Sequence, residues 1–271
     1  MSTYLITGAS RGIGLELTRQ LLALPPTTVR LVFALSRSGP NPALSSLLTE
    51  HRDRLIHITA SVTDTASVRA AASEVVAHLE KQGKGLDVLV NNAGTQNWNE
   101  GGIAKLDEAD LLSVFDLNVV GVQRVTAAFM PLLEKGGEKK VINMYVLLRL
   151  RFGELLGWLI LVIYLSSSTV GSIDWAPKFA AAKVESYKVS KAALNMLNQQ
   201  WAMQYADAGF TFLLVSPGVS HVIRPSFPTH ASDQASTWEH REHFDEDGYV
   251  LIVLPVVAAN RSGWTSRRSG C

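Results

Sequence analysis

Short apolar segments alternate with longer amphipathic segments along the first two-thirds of the chain. The short segments are rich in β-branched residues, which predicts β-strands, whereas the longer ones have a helical period. The predicted strands are Tyr4–Thr7, Val29–Leu35, Leu55–Thr59, Leu86–Val90, Val141–Met144 and Phe210–Val215. The predicted helices are Ile13–Leu24, Ala43–His51, Ala66–Lys81, Leu106–Glu134 and Val184–Asp207. Because parallel strands need crossover connections, this order predicts a doubly wound α/β fold: one domain with a parallel sheet and helices on both faces.

Composition narrows the class of protein further. The chain has 271 residues, of which 47% are hydrophobic and 18% charged, and these values exclude a disordered or collagen-like chain. The formal net charge of +1 gives no overall field that would attract nucleic acid or acidic lipid. Cys271 is the only cysteine and the seven histidines show no ligand spacing, so we expect neither an intrachain disulfide nor a metal site. With no basic stretch or cleavage site after Met1, we expect a cytoplasmic protein.

A glycine-rich segment, Thr7–Gly14 (TGASRGIG), connects the first predicted strand to the first predicted helix. Glycine permits a tight turn, and it lets backbone N–H groups approach a pyrophosphate at the positive end of a helix. Glycines in an ordinary surface turn are the alternative, but the position between a strand and a helix favours dinucleotide binding. The predicted contacts come from Gly8, Ser10, Arg11, Gly12, Ile13 and Gly14.

The end of the second predicted strand bears on which dinucleotide would bind. Residues 35–38 (LSRS) contain no acidic side chain that could receive a ribose 2′-hydroxyl. Arg37, together with Arg11, is instead suited to pair with a 2′-phosphate. Either arginine alone would be interpreted as a solvated loop charge. The two together, with the acid absent, predict NADPH rather than NADH.

Three further motifs occur in a fixed order along the chain: Asn91-Asn92-Ala93-Gly94, then Tyr187–Lys191 (YKVSK) preceded by Ser166–Gly171, then Ser216-Pro217-Gly218. With the TGxxxGxG spacing of the glycine loop, they resemble the short-chain dehydrogenase/reductase family, specifically its small single-domain carbonyl-reductase-like members. The resemblance runs from Thr3 to Gly218. It implies a Rossmann-type fold and an NADPH-dependent oxidoreductase that reduces a ketone or aldehyde to an alcohol.

Tyr187 and Lys191 are four residues apart, so both project from one face of a helix. A phenol ordinarily ionises near pH ~10, too high for proton exchange at neutral pH. A neighbouring ammonium favours the phenolate and lowers that pKa, which makes proton exchange with a carbonyl or alcohol feasible. An ordinary amphipathic Tyr/Lys pair is the commoner interpretation of these two residues alone, and the surrounding motifs decide against it.

The resemblance assigns roles to the catalytic residues. Tyr187 would be the general acid in reduction, and Lys191 would lower its pKa and bind the nicotinamide ribose. Ser168, with Ser167 as the alternative, would orient the substrate carbonyl. Asn118 would hold a water of the family's proton relay.

Further cofactor contacts follow from the same resemblance, as do departures from the family pattern. The contacts are Val62, Asn91, Ala93, Gly94, Tyr187, Lys191, Pro217 and Gly218. Many relatives carry an acid before the valine that matches Val62, where this chain has Ser61. Val222 stands where the family usually places a threonine that bonds the nicotinamide carboxamide.

Two regions do not fit the pattern. Tyr145–Leu165 is a long apolar run whose deletion would restore the expected junction between the fifth strand and the serine motif. We consider a translated intron, or an apolar helix that docks over the substrate cleft or in an interface. Its wholly apolar part is too short for a bilayer span, so we expect no membrane anchor, although a membrane-associated reductase is a third interpretation. The alternation also ends after Gly218, leaving 219–271 as an atypical C-terminal region.

These departures leave a second function open. A catalytically impaired dinucleotide-binding or interaction protein would keep the fold without the chemistry. We expect a small-molecule carbonyl or alcohol as substrate, and a homo-oligomer, because the family often pairs helices corresponding to Leu106–Glu134 and Val184–Asp207 across a two-fold axis.

Overall fold

A single seven-stranded sheet organises the chain in a computed structural model that describes residues 1–80, 83–144, 171–174, 176–217 and 251–255. The strand order is β3-β2-β1-β4-β5-β6-β7. The strands are β1 (Ser2–Thr7), β2 (Val29–Ser36), β3 (Leu55–Thr59), β4 (Val88–Asn91), β5 (Lys140–Met144), β6 (Thr211–Pro217) and β7 (Leu251–Pro255). The first six are parallel, which confirms the predicted Rossmann-type sheet.

The helices lie where the periodicity predicts them. They are α1 (Gly12–Ala23), α2 (Pro42–Glu50), α3 (Thr65–Glu80), α4 (Glu108–Phe115), α5 (Gly121–Glu134) and α6 (Glu185–Gln204). Short 3₁₀ turns occur at Ile103–Lys105, Ala176–Phe179 and Ala206–Ala208. A π-helical segment, Asp116–Val120, joins α4 to α5, so the single helix predicted over Leu106–Glu134 contains one wide turn.

Helices cover both faces of the sheet, as a doubly wound fold requires. On one face, Leu5 and Phe33 pack with Val75 of α3 and Phe129 of α5. On the other face, Ile6 and Val32 pack in a second cluster that includes residues of α1 and α2. Neighbouring residues of one strand therefore serve opposite layers, which explains why the central strands are apolar without interruption.

Several strand ends differ from the prediction by one or two residues, and the prediction misses one strand. β4 begins at Val88 rather than Leu86, and the Leu86 N–H donates to the Leu132 carbonyl of α5 at 3.0 Å instead of to a neighbouring strand. The Asp87 carboxylate accepts hydrogen bonds from the backbone N–H of Thr3 at 2.8 Å and of Gly137 at 2.7 Å. The sequence pattern also missed β7, which pairs antiparallel with β6 and so departs from the all-parallel sheet expected. β7 lies within the region 219–271 that the sequence pattern separates from the main domain.

The continuous helix Glu108–Glu134 is, among the described residues, the one segment that is long and apolar enough to cross a membrane by length and composition. Its inner face supplies core residues, including Val125 and Phe129, that pack on the sheet. A core helix passes the same test of length and composition, so the test alone does not indicate membrane insertion.

The topology places the predicted motifs at one edge of the sheet. The strand order reverses between β1, which is followed by β2 on one side, and β4 on the other. A crevice opens at such a switch point beyond the carboxyl ends of the strands. The glycine loop follows β1. The motif at residues 91–94 begins with the last residue of β4 and continues beyond it. The fold therefore brings the two segments together at that crevice.

Candidate active site

The glycine loop makes a close packing contact that excludes larger residues. Gly8 has a φ of +70° and Gly12 a φ of +58°, both in the left-handed region. A Cβ atom on Gly14 would collide with the Gly8 carbonyl and lie 2.5 Å from the Asn92 amide nitrogen. The first turn of α1 therefore packs directly against the loop and against the segment after β4.

The N-terminus of α1 fits an anionic ligand. Arg11 precedes the helix in an extended conformation and its side chain does not cap it, and the first turn contains no acidic residue. No described atom lies within 4 Å of the position that a Cβ on Gly12 would take. Uncapped N–H groups beside open space, at the positive end of a helix, are the features that hold a pyrophosphate.

Asn92 and Thr7 join the carboxyl ends of β1 and β4. The Thr7 hydroxyl accepts hydrogen bonds from the backbone N–H groups of Asn92 and Ala93, each at 3.0 Å. The Asn92 amide donates to the carbonyl oxygens of Thr7 at 2.9 Å and Gly8 at 3.3 Å. Sequence reasoning selected Asn91, Ala93 and Gly94 but not Asn92, although its place in the motif was a usable signal. Asn92 fixes the glycine loop in place.

Asn91 belongs to a buried polar network. Its amide donates to the Thr126 hydroxyl at 3.1 Å and to the Asn143 side-chain oxygen at 2.9 Å. The Asn143 amide in turn donates to the Asn198 oxygen at 2.7 Å. The network connects β4, β5, α5 and α6 behind the crevice. Asn91 thus holds the layers together, and its predicted position beside the adenine ribose stays a prediction.

Asn118 lies in the π-helical segment and is fully buried at 1% exposure. Its side-chain oxygen accepts from the Thr95 N–H at 2.9 Å, and its amide donates to the Thr95 carbonyl at 2.8 Å. The amide also donates to the Ser190 hydroxyl at 3.0 Å, which itself donates to the Tyr187 carbonyl at 2.8 Å. The side chain therefore positions α6 relative to the segment after β4. The water predicted for Asn118 stays a prediction.

Tyr187 and Lys191 form a buried pair on one face of α6, each 2% exposed. The Lys191 Nζ lies 5.3 Å from the centre of the Tyr187 ring, within the range of a cation–π contact. Burial lowers the pKa of Lys191 to about 7, because an ammonium loses its hydration inside the protein. A phenol beside a buried amine whose pKa lies near neutrality is a suitable pair for acid–base chemistry.

The serine motif is described only at its end. Ser168 and Ser167 lie outside the described residues, as do Tyr145–Leu165 and Gly218. A Cβ on Gly171 would lie 2.7 Å from the backbone carbon of Lys191 and 2.8 Å from the nitrogen of Ala192. The backbone three residues after Ser168 therefore lies directly on the helix that carries the Tyr/Lys pair. Pro217 ends β6 and pairs with Leu251 of β7.

The two arginines predicted to face a 2′-phosphate follow two neighbouring strands, β1 and β2. Thr7 at the end of β1 pairs with Leu35 of β2, and the Ala9 N–H donates to the Leu35 carbonyl at 3.0 Å. Arg11 and Arg37 follow these two positions, and both are exposed. Ile13, the other predicted contact residue of the glycine loop, lies in the first turn of α1. It is half-buried and packs against the core cluster on that face of the sheet.

Val62 lies three residues after β3, close to the end of the π-helical segment. Its carbonyl accepts a hydrogen bond from Arg124 at 3.3 Å, and its side chain lies close to the backbone of Gly121. Asp64 caps α3, because its carboxylate accepts from the N–H groups of Ala66 at 2.7 Å and Ser67 at 3.1 Å. The Asp64 carboxylate is therefore engaged in capping α3. It does not replace the acid that many relatives carry at the position of Ser61.

The fold and this arrangement of motifs define a nucleotide-binding oxidoreductase. The family model for short chain dehydrogenases matches residues 2–148, and the chain belongs to that family of oxidoreductases.

Individual relatives support the same assignment. The chain is 32% identical to the short-chain dehydrogenase/reductase AacuF of Aspergillus aculeatus, over 80% of this chain and 74% of the relative. It is 31% identical to the short chain dehydrogenase virK of Hypocrea virens, over 81% of this chain and 74% of that one. Among solved structures, an NADPH-bound carbonyl reductase from chicken fatty liver is 32% identical, with a TM-score of 0.64 over 79% of this chain and 78% of the other.

We predict that Lys191→Met stabilises the protein at neutral pH while it removes turnover. The pKa of Lys191 is about 7 in the folded protein against an ordinary 10.5, so the unfolded chain binds more protons between these values. Wild-type stability should therefore rise with pH across this window relative to the variant, by roughly 3–5 kcal/mol in total. Urea unfolding of both proteins at about pH 6.5 and about pH 9.5 measures the change. A stability difference independent of pH would contradict this description of Lys191.

Proposed function

We propose that this chain is an NADPH-dependent reductase that converts a ketone or aldehyde into an alcohol. The buried Tyr187–Lys191 pair carries the proposal, since the two side chains lie on one face of α6 with Nζ 5.3 Å from the ring centre. The open helix N-terminus at Gly12 gives a place for the pyrophosphate. The NADPH-bound carbonyl reductase from chicken, at 32% identity, supports both the coenzyme and the substrate class.

In the proposed reaction, the Tyr187 phenol donates its proton to the carbonyl oxygen of the substrate. The bound coenzyme supplies the hydride for the carbonyl carbon. Lys191, buried beside the phenol, stabilises the phenolate that remains. Its amine is also suited to bind the nicotinamide ribose. Ser168 is proposed to orient the carbonyl from the motif that ends against α6 at Gly171.

Hydrogen bonds beside the N-terminus of α6 help to hold Tyr187, the proposed acid, in place. The Asn99 N–H donates to the Lys183 carbonyl at 2.8 Å. Lys188, the residue after Tyr187, donates to the Phe179 carbonyl at 2.8 Å, and burial lowers its pKa. These contacts hold the backbone around Tyr187, so its phenol has little freedom to leave the reacting geometry.

Replacing Tyr187 with phenylalanine should lower kcat for carbonyl reduction at least about 100-fold, because it removes the general acid. The Kd for NADPH should change less than twofold, since the ring and Lys191 are retained. The rate is measured as the decrease of NADPH absorbance with time in the presence of each member of a panel of ketones and aldehydes. Tyr205→Phe, which removes the hydroxyl of the tyrosine just after α6, serves as the matched control and should keep full activity.

Retained turnover in the Tyr187 variant would exclude the proposed acid. The alternative function, a dinucleotide-binding protein without catalysis, would be shown by a wild-type protein that binds NADPH and reduces none of the panel.

Arg37 should decide the preference for NADPH. It is exposed directly after β2, and a charge-assisted bond to the 2′-phosphate is available only with NADPH. Arg37→Ala should raise the Kd for NADPH about tenfold and leave that for NADH unchanged, as measured by fluorescence titration. Arg52→Ala removes an exposed arginine that follows α2, and so makes the same change in net charge. It serves as the control and should leave both Kd values unchanged. A wild-type protein that prefers NADH would overturn this assignment.

We also propose that the working unit is a homo-oligomer in the cytoplasm. Val189, Met196 and Met203 recur every seven residues along α6 and are 44%, 61% and 61% exposed, and Leu112 of α4 is 59% exposed. An apolar stripe of this length on neighbouring helices suits a second copy of the same surface.

Met196→Glu should shift the particle from the mass of an oligomer to that of a monomer in size-exclusion chromatography with light scattering, because a charge would be buried in the interface. Met196→Leu, which keeps the apolar surface, should retain the wild-type mass. A wild-type protein that is already monomeric would contradict the proposal.

A further inference from the structure

The turn that carries Arg37 is held at both of its ends. This turn, residues 37–40, is exposed along its whole length and connects Ser36, the last residue of β2, to Asn41, the residue before α2. An exposed arginine on a free turn would have to be ordered by its ligand. The contacts of Ser36 and Asn41 do part of that ordering in advance.

The first contact runs from β3 through Ser36. The buried Ser36 hydroxyl lies 2.7 Å from the Ser38 carbonyl oxygen and 2.7 Å from His57 Nε2. A carbonyl only accepts, so the single hydroxyl hydrogen is donated to Ser38. His57 Nε2 must then carry a hydrogen and donate it to the Ser36 oxygen. His57 thus fixes the direction of the hydroxyl that closes the turn.

The second contact connects the turn to the glycine loop. The Asn41 amide donates to the Ser10 carbonyl at 2.6 Å, and its oxygen accepts from the Leu44 N–H at 2.9 Å as the cap of α2. The Arg37 turn is therefore fixed relative to the loop predicted to hold the pyrophosphate. Because both ends of the turn are held, the conformational entropy that Arg37 can still lose on binding is that of its side chain and of residues 37–40.

We propose that His57, acting through Ser36, is a positioning residue for coenzyme selection, because it fixes the turn from which Arg37 reaches a 2′-phosphate. This inference rests on the proposed NADPH preference. His57 stands on β3, where it pairs with Ala34 of β2, so it has no need to touch the coenzyme. Ordering the turn before binding removes an entropic cost that NADPH would otherwise meet, whereas NADH makes no use of Arg37.

His57 acts through its hydrogen bond and not through charge. Burial lowers its pKa, although Glu74 acts in the opposite direction, so the imidazole is neutral at physiological pH. A neutral ring adds no attraction to a phosphate dianion. Its effect passes through its hydrogen bonds with the turn region, to the Ser36 hydroxyl and to the Ser38 backbone.

The test compares Kd values for NADPH and NADH by fluorescence titration of purified protein, without substrate. His57→Leu removes the donor and should raise the Kd for NADPH about three- to tenfold, while the Kd for NADH stays within about twofold. His57→Gln, whose amide nitrogen takes the place of Nε2, should restore most of the preference. His78→Leu is the matched control, because His78 packs on Phe33 of β2 without contact to the turn, and it should leave both Kd values unchanged.

The outcomes separate this inference from the proposed function. A wild-type protein without preference for NADPH would overturn both. A preference that is lost in Arg37→Ala but kept in His57→Leu would overturn the role of His57 alone. Equal weakening of both coenzymes in His57→Leu would show a merely structural role and also overturn it. If His57→Leu does not fold, Ser36→Ala breaks the same contact and should show the same selective loss.

Discussion

The hydrogen bonds between Thr7 and the segment after β4 are the interaction on which the site depends. β1 and β4 are neighbours in the sheet, yet their carboxyl ends would diverge into separate loops without a connection beyond the ladder. The Thr7 hydroxyl and the Asn92 amide close that gap with four bonds of 2.9–3.3 Å. Because Asn92 also packs against Gly14, the start of α1 is fixed relative to β4.

The same rigidity continues to the reacting groups. Thr95, three residues beyond Asn92, is bound on both its N–H and its carbonyl by Asn118, which also binds Ser190 of α6. Ser190 lies between Tyr187 and Lys191. A chain of hydrogen bonds thus connects the glycine-loop end of the crevice to Tyr187 and Lys191. A π-helical turn at Asn118 widens the helix at the point where this side chain is needed.

Burying Lys191 has a thermodynamic cost that the fold must offset. Lys191 is 2% exposed, so desolvation of its ammonium opposes folding at neutral pH. The apolar core of the sheet, in which Leu5, Leu89 and Phe129 are fully buried, supplies the compensating burial. Such a cost is characteristic of a functional site. An apolar residue at this position would make the folded protein more stable, but it could not exchange protons.

The sequence predicted the elements with a strong period and the motifs with a fixed order. Strand–helix alternation located six strands and the helices, and the place of Tyr187 and Lys191 on one helical face followed from their spacing. The Asn143–Asn198 bond and the His57–Ser36 contact could not be predicted, because they join residues far apart in the chain and each residue alone is an ordinary polar side chain. β7 was missed because a short apolar segment carries no information about its partner or direction.

The pairing of β7 with β6 determines which strand lies outermost on that side of the sheet. Pro217 and Leu251 are paired neighbours at the carboxyl end of β6. An edge strand presents a row of unpaired N–H and C=O groups that can pair with another chain. Because β7 takes the outer position, β6 has a partner strand on each side, β5 and β7. β6 is therefore protected from the addition of a foreign strand.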